Sequence, residues 1–229
     1  MLALGEVILG IDIHQAVHSE PKPVPALARL GPPTPAIAKP ERSETGVWIG
    51  IFAIVMSFAA FTSAMIVRQG VSPDWRHFEL PRLLYLNTLT LIASSLTLVR
   101  ARARLTTVAK PLPPAGADGK KSFSEGMNWL YITFGLGAVF LVGQVLVWRL
   151  LVVQGLFLST NPSSSFFYVF TAMHGLHLLG GILALAYMIR KLARTRSAAQ
   201  TTGLPAVCLY WHFMDGLWLY LLVLLIVRT

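Results

Sequence analysis

The stretch that decides the fold is Tyr210-Trp-His-Phe-Met-Asp215-Gly-Leu-Trp218-Leu, in the middle of an apolar run from about 204 to 227. A run of this length can cross a bilayer as a helix. It nevertheless contains a carboxyl group, Asp215, and an imidazole, His212, close to its centre. A charged group at that depth costs about 3 kcal/mol or more, so the carboxyl group needs a partner and a role.

The rest of the chain has the composition of a membrane protein. Of its 229 residues, 55% are hydrophobic and only 13% are charged, which is too apolar for an ordinary soluble domain. Four more apolar runs lie before the run at 204–227 in the sequence, at about 47–67, 82–99, 127–150 and 166–189. The sequence therefore predicts an all-α membrane protein with a bundle of five transmembrane helices. No internal repeat is evident, so the pattern does not indicate an inverted-repeat transporter.

The N-terminal segment differs from the remainder. Residues 1–46 contain seven prolines, which favour an extended, poorly packed chain. We interpret 1–46 as a Pro-rich tail, extended or bound to a partner, and 47–229 as the transmembrane domain.

The distribution of Lys and Arg predicts the orientation. Four precede the first span, six lie between the second and third spans and four between the fourth and fifth, fourteen in all, against five on the other side. Because cytoplasmic loops carry the excess of basic residues, we expect a cytoplasmic N-terminus and a periplasmic C-terminus. The formal charge of +9 does not indicate nucleic-acid binding, since the basic residues lie in short loops between apolar runs.

Three histidines accompany Asp215 within the spans. His212 precedes it by one helical turn, and His174 and His177 share a face of the fourth run. If the fourth and fifth helices pack together, these four residues and Trp211 can form one polar cluster. Three interpretations stay open: hydrogen bonding that links the helices, binding of a lipid head group or of water near a proton path, and ligation of a b-type haem by imidazoles from two helices. Close approach of the two backbones is expected at Gly175, Gly180 and Gly181.

Other polar residues within the spans are typical of helix packing. Small hydroxyl and amide side chains allow close contact or bond across an interface; they are Asn87, Thr88, Ser94, Ser95 and Gln144. The sequence contains no nucleophile with an adjacent base and no evident metal-binding motif, so no catalytic or metal-ligating residue is predicted. The single cysteine, Cys208, lies in an apolar run and cannot form an internal disulfide.

Two long motifs carry a resemblance to a known family. Ser165 to Gly181, with His174-Gly-Leu-His177 inside it, and Tyr210 to Trp218 resemble the last two helices of subunit III of haem–copper terminal oxidases. Pro81 to Ser95, with Asn87-Thr88 and Ser94-Ser95, and Gly143-Gln144 with Trp148 resemble earlier helices of that subunit. The resemblance extends from about residue 41 to residue 228.

The resemblance implies a non-catalytic accessory subunit of a proton-pumping cytochrome c oxidase in a bacterial inner membrane. Such a subunit packs against the haem–copper catalytic subunit I and other oxidase subunits, holds phospholipid, and carries no haem or copper itself. The resemblance also extends the partners to a larger respiratory supercomplex. The alternatives are subunit III of a quinol oxidase and the accessory subunit of a nitric oxide reductase. A b-type haem membrane protein is a more distant alternative.

Two departures from the family pattern limit which properties of the family can be expected of this chain. The longer members have seven spans, whereas five are predicted here, and we expect no counterparts of the first two. Carboxylates that the family has within the membrane align with Ile54 and Val147. Any role of those carboxylates cannot be assigned here, and Asp215 is the only acidic residue within a predicted span.

Overall fold

The computed structural model describes residues 42–71, 73, 75, 80–108, 117–158, 161–195, 201 and 203–228. These residues form five α-helices: α1 (Arg42–Val71), α2 (Arg82–Val108), α3 (Ala117–Val153), α4 (Pro162–Thr195) and α5 (Leu204–Arg228). Each is long and apolar enough to cross a membrane. The predicted five-span, all-α membrane fold is confirmed for the described residues, and the orientation of the termini stays a prediction.

The helices extend beyond the apolar runs that predicted them. Helix α1 begins at Arg42, so residues 42–46, which we expected in the tail, are helical. Helix α3 begins at Ala117, ten residues before its apolar run. Hydropathy marks the part of a helix that lies in hydrocarbon, but backbone hydrogen bonding continues into the interface. The tail prediction for residues 1–41 lies outside the described residues.

Contacts with the end of α2 stabilise the extension of α3. Arg104 and Glu125 form an ion pair of 3.3 Å, and the Ser122 hydroxyl donates to the backbone oxygen of Arg104 over 3.3 Å. The Arg100 guanidinium lies 5.4 Å from the centre of the Trp129 ring. The two helices therefore stay paired beyond their apolar segments.

Local sequence explains where α3 ends and α4 begins. Gly155 has a φ of +79°, and the N–H groups of Gly155 and Leu156 donate to the backbone oxygens of Val152 and Leu151 over 3.0 Å each. This is a Schellman motif, in which glycine adopts the left-handed conformation without strain. Pro162 then occupies the first position of α4, where its missing N–H removes no helical hydrogen bond.

Four of the helices form a closed ring in the order α2, α3, α4, α5, in which α5 returns to α2. Helices α2 and α3 make the most extensive interface, and α1 lies outside the ring against α4 and α5. The stacked rings of Phe58 and Phe170, whose centres are 6.3 Å apart, join α1 to α4. The hydroxyls of Thr62 and Tyr220, 3.0 Å apart, join α1 to α5.

Candidate functional site

The interior of the ring contains two tryptophans of α5, seven residues apart and both fully buried. Trp211 donates its indole N–H to the Ser94 hydroxyl of α2 over 3.1 Å. A Cβ added to Gly137 of α3 would meet the same ring at 2.8 Å, and one added to Gly181 of α4 at 3.6 Å. One side chain, Trp211, therefore contacts all three other helices of the ring; we call this the Trp211 layer.

The second tryptophan forms the Trp218 layer in the same way. Trp218 donates to the Thr88 hydroxyl of α2 over 3.0 Å. Its ring centre lies 4.9 Å from Phe140 of α3, edge-on at 89°, and 4.9 Å from His174 of α4, tilted by 38°. Because the lower-numbered residue of α2 pairs with the higher-numbered residue of α5, the two helices are antiparallel.

The hydroxyls of Thr88 and Ser94 each donate one hydrogen bond and accept one. Thr88 donates to the backbone oxygen of Leu84 over 2.9 Å, and Ser94 donates to that of Leu91 over 2.6 Å. A hydroxyl has one proton and two lone pairs, so each can donate to its own helix and still accept an indole N–H. Every polar hydrogen in these two pairs has a partner within the chain.

Helix α2 bonds to α3 through an amide pair. Asn87 donates to the backbone oxygen of Phe140 over 3.0 Å and to Oε1 of Gln144 over 3.4 Å. Gly143 makes room for it, since a Cβ there would clash with Oδ1 of Asn87. Farther along, the Thr97 and Thr133 hydroxyls lie 2.8 Å apart. The predicted packing role of Asn87 and Gln144 therefore corresponds to direct contacts between α2 and α3.

The histidines of α4 lie in two different environments. His174 is fully buried in the Trp218 layer, and neither of its ring nitrogens has a hydrogen bond. His177 is half-buried, its Nδ1 lies 2.7 Å from the backbone oxygen of Met173, and its ring centre is 6.0 Å from that of Phe58 on α1. A separation of three residues rotates the two side chains by about 60°, so one side chain lies in the ring interior and the other lies against α1.

His212, Ser95 and Asp215 form a third polar group on the outer side of the α2–α5 contact. Nδ1 of His212 lies 2.6 Å from the hydroxyl of Ser95, and both residues are half-buried. Asp215 is only 8% exposed, and its carboxyl group borders the Ser95 hydroxyl. Neither carboxyl oxygen makes a hydrogen bond in the observed geometry.

The five residues expected in one cluster therefore lie in three places. Trp211 and His174 are in the ring interior, His177 is against α1, and His212 and Asp215 are beside α2. The expected packing of α4 on α5 is present, but its polar contact is a different one, because the Tyr210 hydroxyl donates to the backbone oxygen of His177 over 2.8 Å.

The three glycines expected between α4 and α5 differ in how closely other side chains approach them. A Cβ on Gly181 would meet the Tyr210 ring at 3.0 Å, which is tighter than ordinary contact. One on Gly180 would meet the Tyr210 hydroxyl at 3.9 Å, and one on Gly175 would meet Leu141 of α3 at 3.9 Å. Of the three, Gly181 has the closest neighbours. Gly137 and Gly143 of α3, which we did not expect at a close approach, have still closer ones.

A groove of about 570 Å³ opens between α1, α4 and α5. Its walls are small or apolar at most positions, and Lys191 lies at the end of α4 that borders it. The lining includes Val47, Gly180, Ala184, Met188, Ala206 and Tyr210. Within the part of the chain that the structure describes, no group of three or more His, Cys, Asp or Glu side chains could hold a metal ion.

The family model for cytochrome c oxidase subunit III matches residues 43–228, which include all of the ring and almost all of α1. The chain belongs to this family. A relative named cytochrome c oxidase subunit 3, from Thermostichus vulcanus, is 31% identical over 196 residues, which cover 83% of this chain and 89% of the relative.

Two further members of the family show how the similarity is distributed. A protein of the same name from Synechocystis sp. is 28% identical over 192 residues, 81% of this chain and 75% of that protein. A probable cytochrome c oxidase subunit 3 from Nocardia farcinica is 38% identical over 93 residues, 40% of this chain and 46% of that protein. The predicted family membership is confirmed.

Sequence reasoning overlooked Trp218 as a member of the site. It belongs to the motif that identifies the family, yet its contacts with Thr88, Phe140 and His174 were not expected. The signal was the spacing on α5, because Trp211 and Trp218 are seven residues apart. Their acceptors on α2, Ser94 and Thr88, are six residues apart. Residues seven apart return to nearly the same side of a helix.

Proposed function

We propose that this chain is the non-catalytic subunit III of a cytochrome c oxidase in a bacterial inner membrane, and that it stabilises the subunit that carries haem and copper. The observation that carries the proposal is the hydrogen-bonded ring interior, in which Trp211 and Trp218 each contact three helices. Such an interior makes a rigid body that can support a neighbouring subunit.

The identity of the named relatives supports a cytochrome c oxidase over a quinol oxidase or a nitric oxide reductase. The environment of His174 also supports a structural role for that residue. Aromatic rings of Phe140 and Trp218 lie 5.9 and 4.9 Å from it, centre to centre. We propose that haem and copper are bound by partner subunits, where the redox chemistry takes place.

The test is to purify the tagged chain from its native membranes in mild detergent and to identify the chains that accompany it. We expect a haem–copper catalytic subunit and a copper-binding subunit, and oxygen consumption driven by reduced cytochrome c. The chain alone should show no haem absorption in a reduced-minus-oxidised difference spectrum. Haem absorption by this polypeptide alone would contradict the proposal.

We also propose that the groove between α1, α4 and α5 holds an acyl chain of a phospholipid. Small side chains at Gly180, Ala184 and Ala206 leave room for the chain. A second, smaller groove of about 400 Å³ adjoins the basic end of α4, where Arg190 and Arg194 are exposed and can bind an anionic head group. We propose that one anionic phospholipid occupies both grooves, because they share Tyr187 and Lys191.

Filling the groove tests the lipid proposal. Ala184→Phe places a bulky ring in it, whereas Ala172→Phe changes an exposed position elsewhere on α4. Native mass spectrometry of the purified chain should show less retained phospholipid for Ala184→Phe and an unchanged amount for Ala172→Phe. Equal retention in both variants would place any bound lipid elsewhere.

A further inference from the structure

Helices α2 and α5 together form an outward surface with a regular arrangement, which we call the outer α2–α5 face. On each helix, the residues of this face are separated alternately by four and by three positions. Most of them are exposed and apolar. On α2 they are Tyr85, Leu89, Ile92, Leu96 and Val99, and on α5 they are Pro205, Leu209, His212, Gly216, Leu219, Val223 and Ile226. This spacing is the one that packs side chains of one helix between those of another.

The polar group of Ser95, His212 and Asp215 lies on or beside this face at mid-depth. Asp215 is the twelfth residue of the 25-residue α5, and Ser95 is the fourteenth of the 27-residue α2. Lipid head groups do not reach this depth, and acyl chains have no hydrogen-bonding atoms. The chemistry of this group therefore calls for a protein neighbour.

The carboxyl group of Asp215 is the part that the chain leaves incomplete. Both oxygens are buried, and neither accepts a hydrogen bond in the observed geometry. The bordering Ser95 hydroxyl has one proton, which can be given to either His212 or Asp215 but not to both. Even with that proton, a carboxylate has about three further acceptor sites.

Gly216 provides space beside the carboxyl group. A Cβ added at Gly216 would meet no atom within 4 Å, and Gly216 itself is exposed. A small residue on an outward face lets a neighbouring backbone approach closely. A helix that packs at Gly216 would bring its side chains within reach of Asp215, one residue away.

We infer that the outer α2–α5 face binds a transmembrane helix of another subunit of the oxidase, and that this helix presents a hydrogen-bond donor side chain to Asp215. The inference rests on the proposed function, since it requires a multi-subunit complex. It adds the surface, the kind of neighbour and the side chain that is recognised.

Photo-cross-linking in the complete complex tests the inference. A photoreactive phenylalanine analogue is placed at Leu96 or Leu219 on the face, and at Leu176 or Leu183 on the exposed side of α4 as matched controls. After irradiation of native membranes, we expect the two face positions to form an adduct with a second oxidase subunit. Peptide mapping should locate the adduct in a transmembrane segment that carries a donor side chain.

Other adducts would overturn the inference. Adducts with lipid only, with a second copy of this chain, or with residues 1–41 of this chain would each do so. Equal yields of the adduct with the same subunit from probes at Leu183 and Leu219 would do so as well. If the tagged chain still co-purifies with oxidase subunits while the face positions form no subunit adduct, the inference fails and the proposed function stands. If co-purification itself is lost in the unsubstituted chain, the proposed function fails.

A second measurement connects the adduct to the carboxyl group. With the probe at Leu219, Asp215→Leu should lower the yield of the adduct by about three- to twentyfold, the range that corresponds to one interhelical hydrogen bond in a membrane. Asp215→Asn keeps an acceptor oxygen and should lower it less. Equal yields in all three chains would show that Asp215 does not contribute to binding at this face.

Discussion

The two sides of the α2–α5 contact differ in how their polar groups are satisfied. On the inner side, Trp211 and Trp218 donate to Ser94 and Thr88, which donate to their own helix. On the outer side, neither carboxyl oxygen of Asp215 has a hydrogen bond in the observed geometry, and the bordering donor, the Ser95 hydroxyl, is shared with His212. The indole–hydroxyl pairs on the inner side of these two helices are thus completed within the chain, whereas the carboxyl group on their outer side is not. His174 of α4, in the same interior, also has no hydrogen bond.

This difference separates folding from assembly. A group whose partners all lie in the chain stabilises the helix bundle whether or not other subunits are present. A buried group without a partner opposes folding of the isolated chain and is stabilised only when a donor arrives from outside. Residues on the two sides should therefore respond differently when the chain is measured alone and in the complex.

The largest loss of stability is expected from Trp218→Ala. The substitution removes a fully buried ring that packs on Phe140 and His174, and should lower the free energy of unfolding by about 3–5 kcal/mol. Unfolding of the chain in mixed micelles, followed by circular dichroism, measures it. Val223→Ala, at a 61% exposed position of the same helix, is the control and should have little effect. A similar loss in both variants would contradict the Trp218 layer.

A smaller loss is expected where α3 passes the Trp211 layer. Gly137→Ala places a methyl group 2.8 Å from the Trp211 ring and should cost about 1–3 kcal/mol. Gly135→Ala, two residues away on the same helix, meets nothing within 4 Å and should be neutral or stabilising. The pair is compared by the same unfolding measurement. A stable Gly137→Ala chain would mean that α3 does not approach Trp211 closely.

The hydroxyl acceptors should contribute less than the rings. Thr88→Val keeps the shape of the side chain but leaves the Trp218 N–H without its acceptor, so we expect a loss of about 0.5–2 kcal/mol. Thr90→Val is the matched control, because the Thr90 hydroxyl donates only to Leu86 of its own helix. Equal losses from both substitutions would assign the effect to the valine side chain and not to the indole hydrogen bond.

The smallest effect is expected at the ion pair beyond the apolar segments. Arg104 and Glu125 are 57% and 36% exposed, so water and salt weaken their attraction. Glu125→Gln should change the free energy of unfolding by about 0–1 kcal/mol, and the change should disappear at high salt. A larger, salt-independent loss would contradict an ion pair that is weakened by water and salt.

Apolar runs in the sequence predicted the five helices but not their full length. The run near 127–150 corresponds to α3, whose first turns contain Lys120, Lys121 and Glu125. Those residues are too polar for hydrocarbon and carry no hydropathy signal. Their helical structure comes from pairing with α2, which depends on the tertiary arrangement.

The residue types of the candidate site were predicted better than their contacts. His212 and Asp215 were recognised as exceptional because an ionisable group within a span is costly. Their separation from His174 and His177 could not be predicted, since it depends on how far each helix is rotated about its own axis. In the structure, the missing side chains of Gly137, Gly143 and Gly181 make room for Trp211, Asn87 and Tyr210, and these close contacts are compatible with only a narrow range of rotations.

The most direct test of the account uses Asp215→Leu with two readouts. In the isolated chain, a leucine in place of an unpartnered carboxyl group should leave the free energy of unfolding unchanged or raise it. In the complex, the amount of chain that co-purifies with the other oxidase subunits should fall, while turnover of the complexes that do assemble persists. A chain that loses as much stability alone as Thr88→Val does, with unchanged co-purification, would contradict the account.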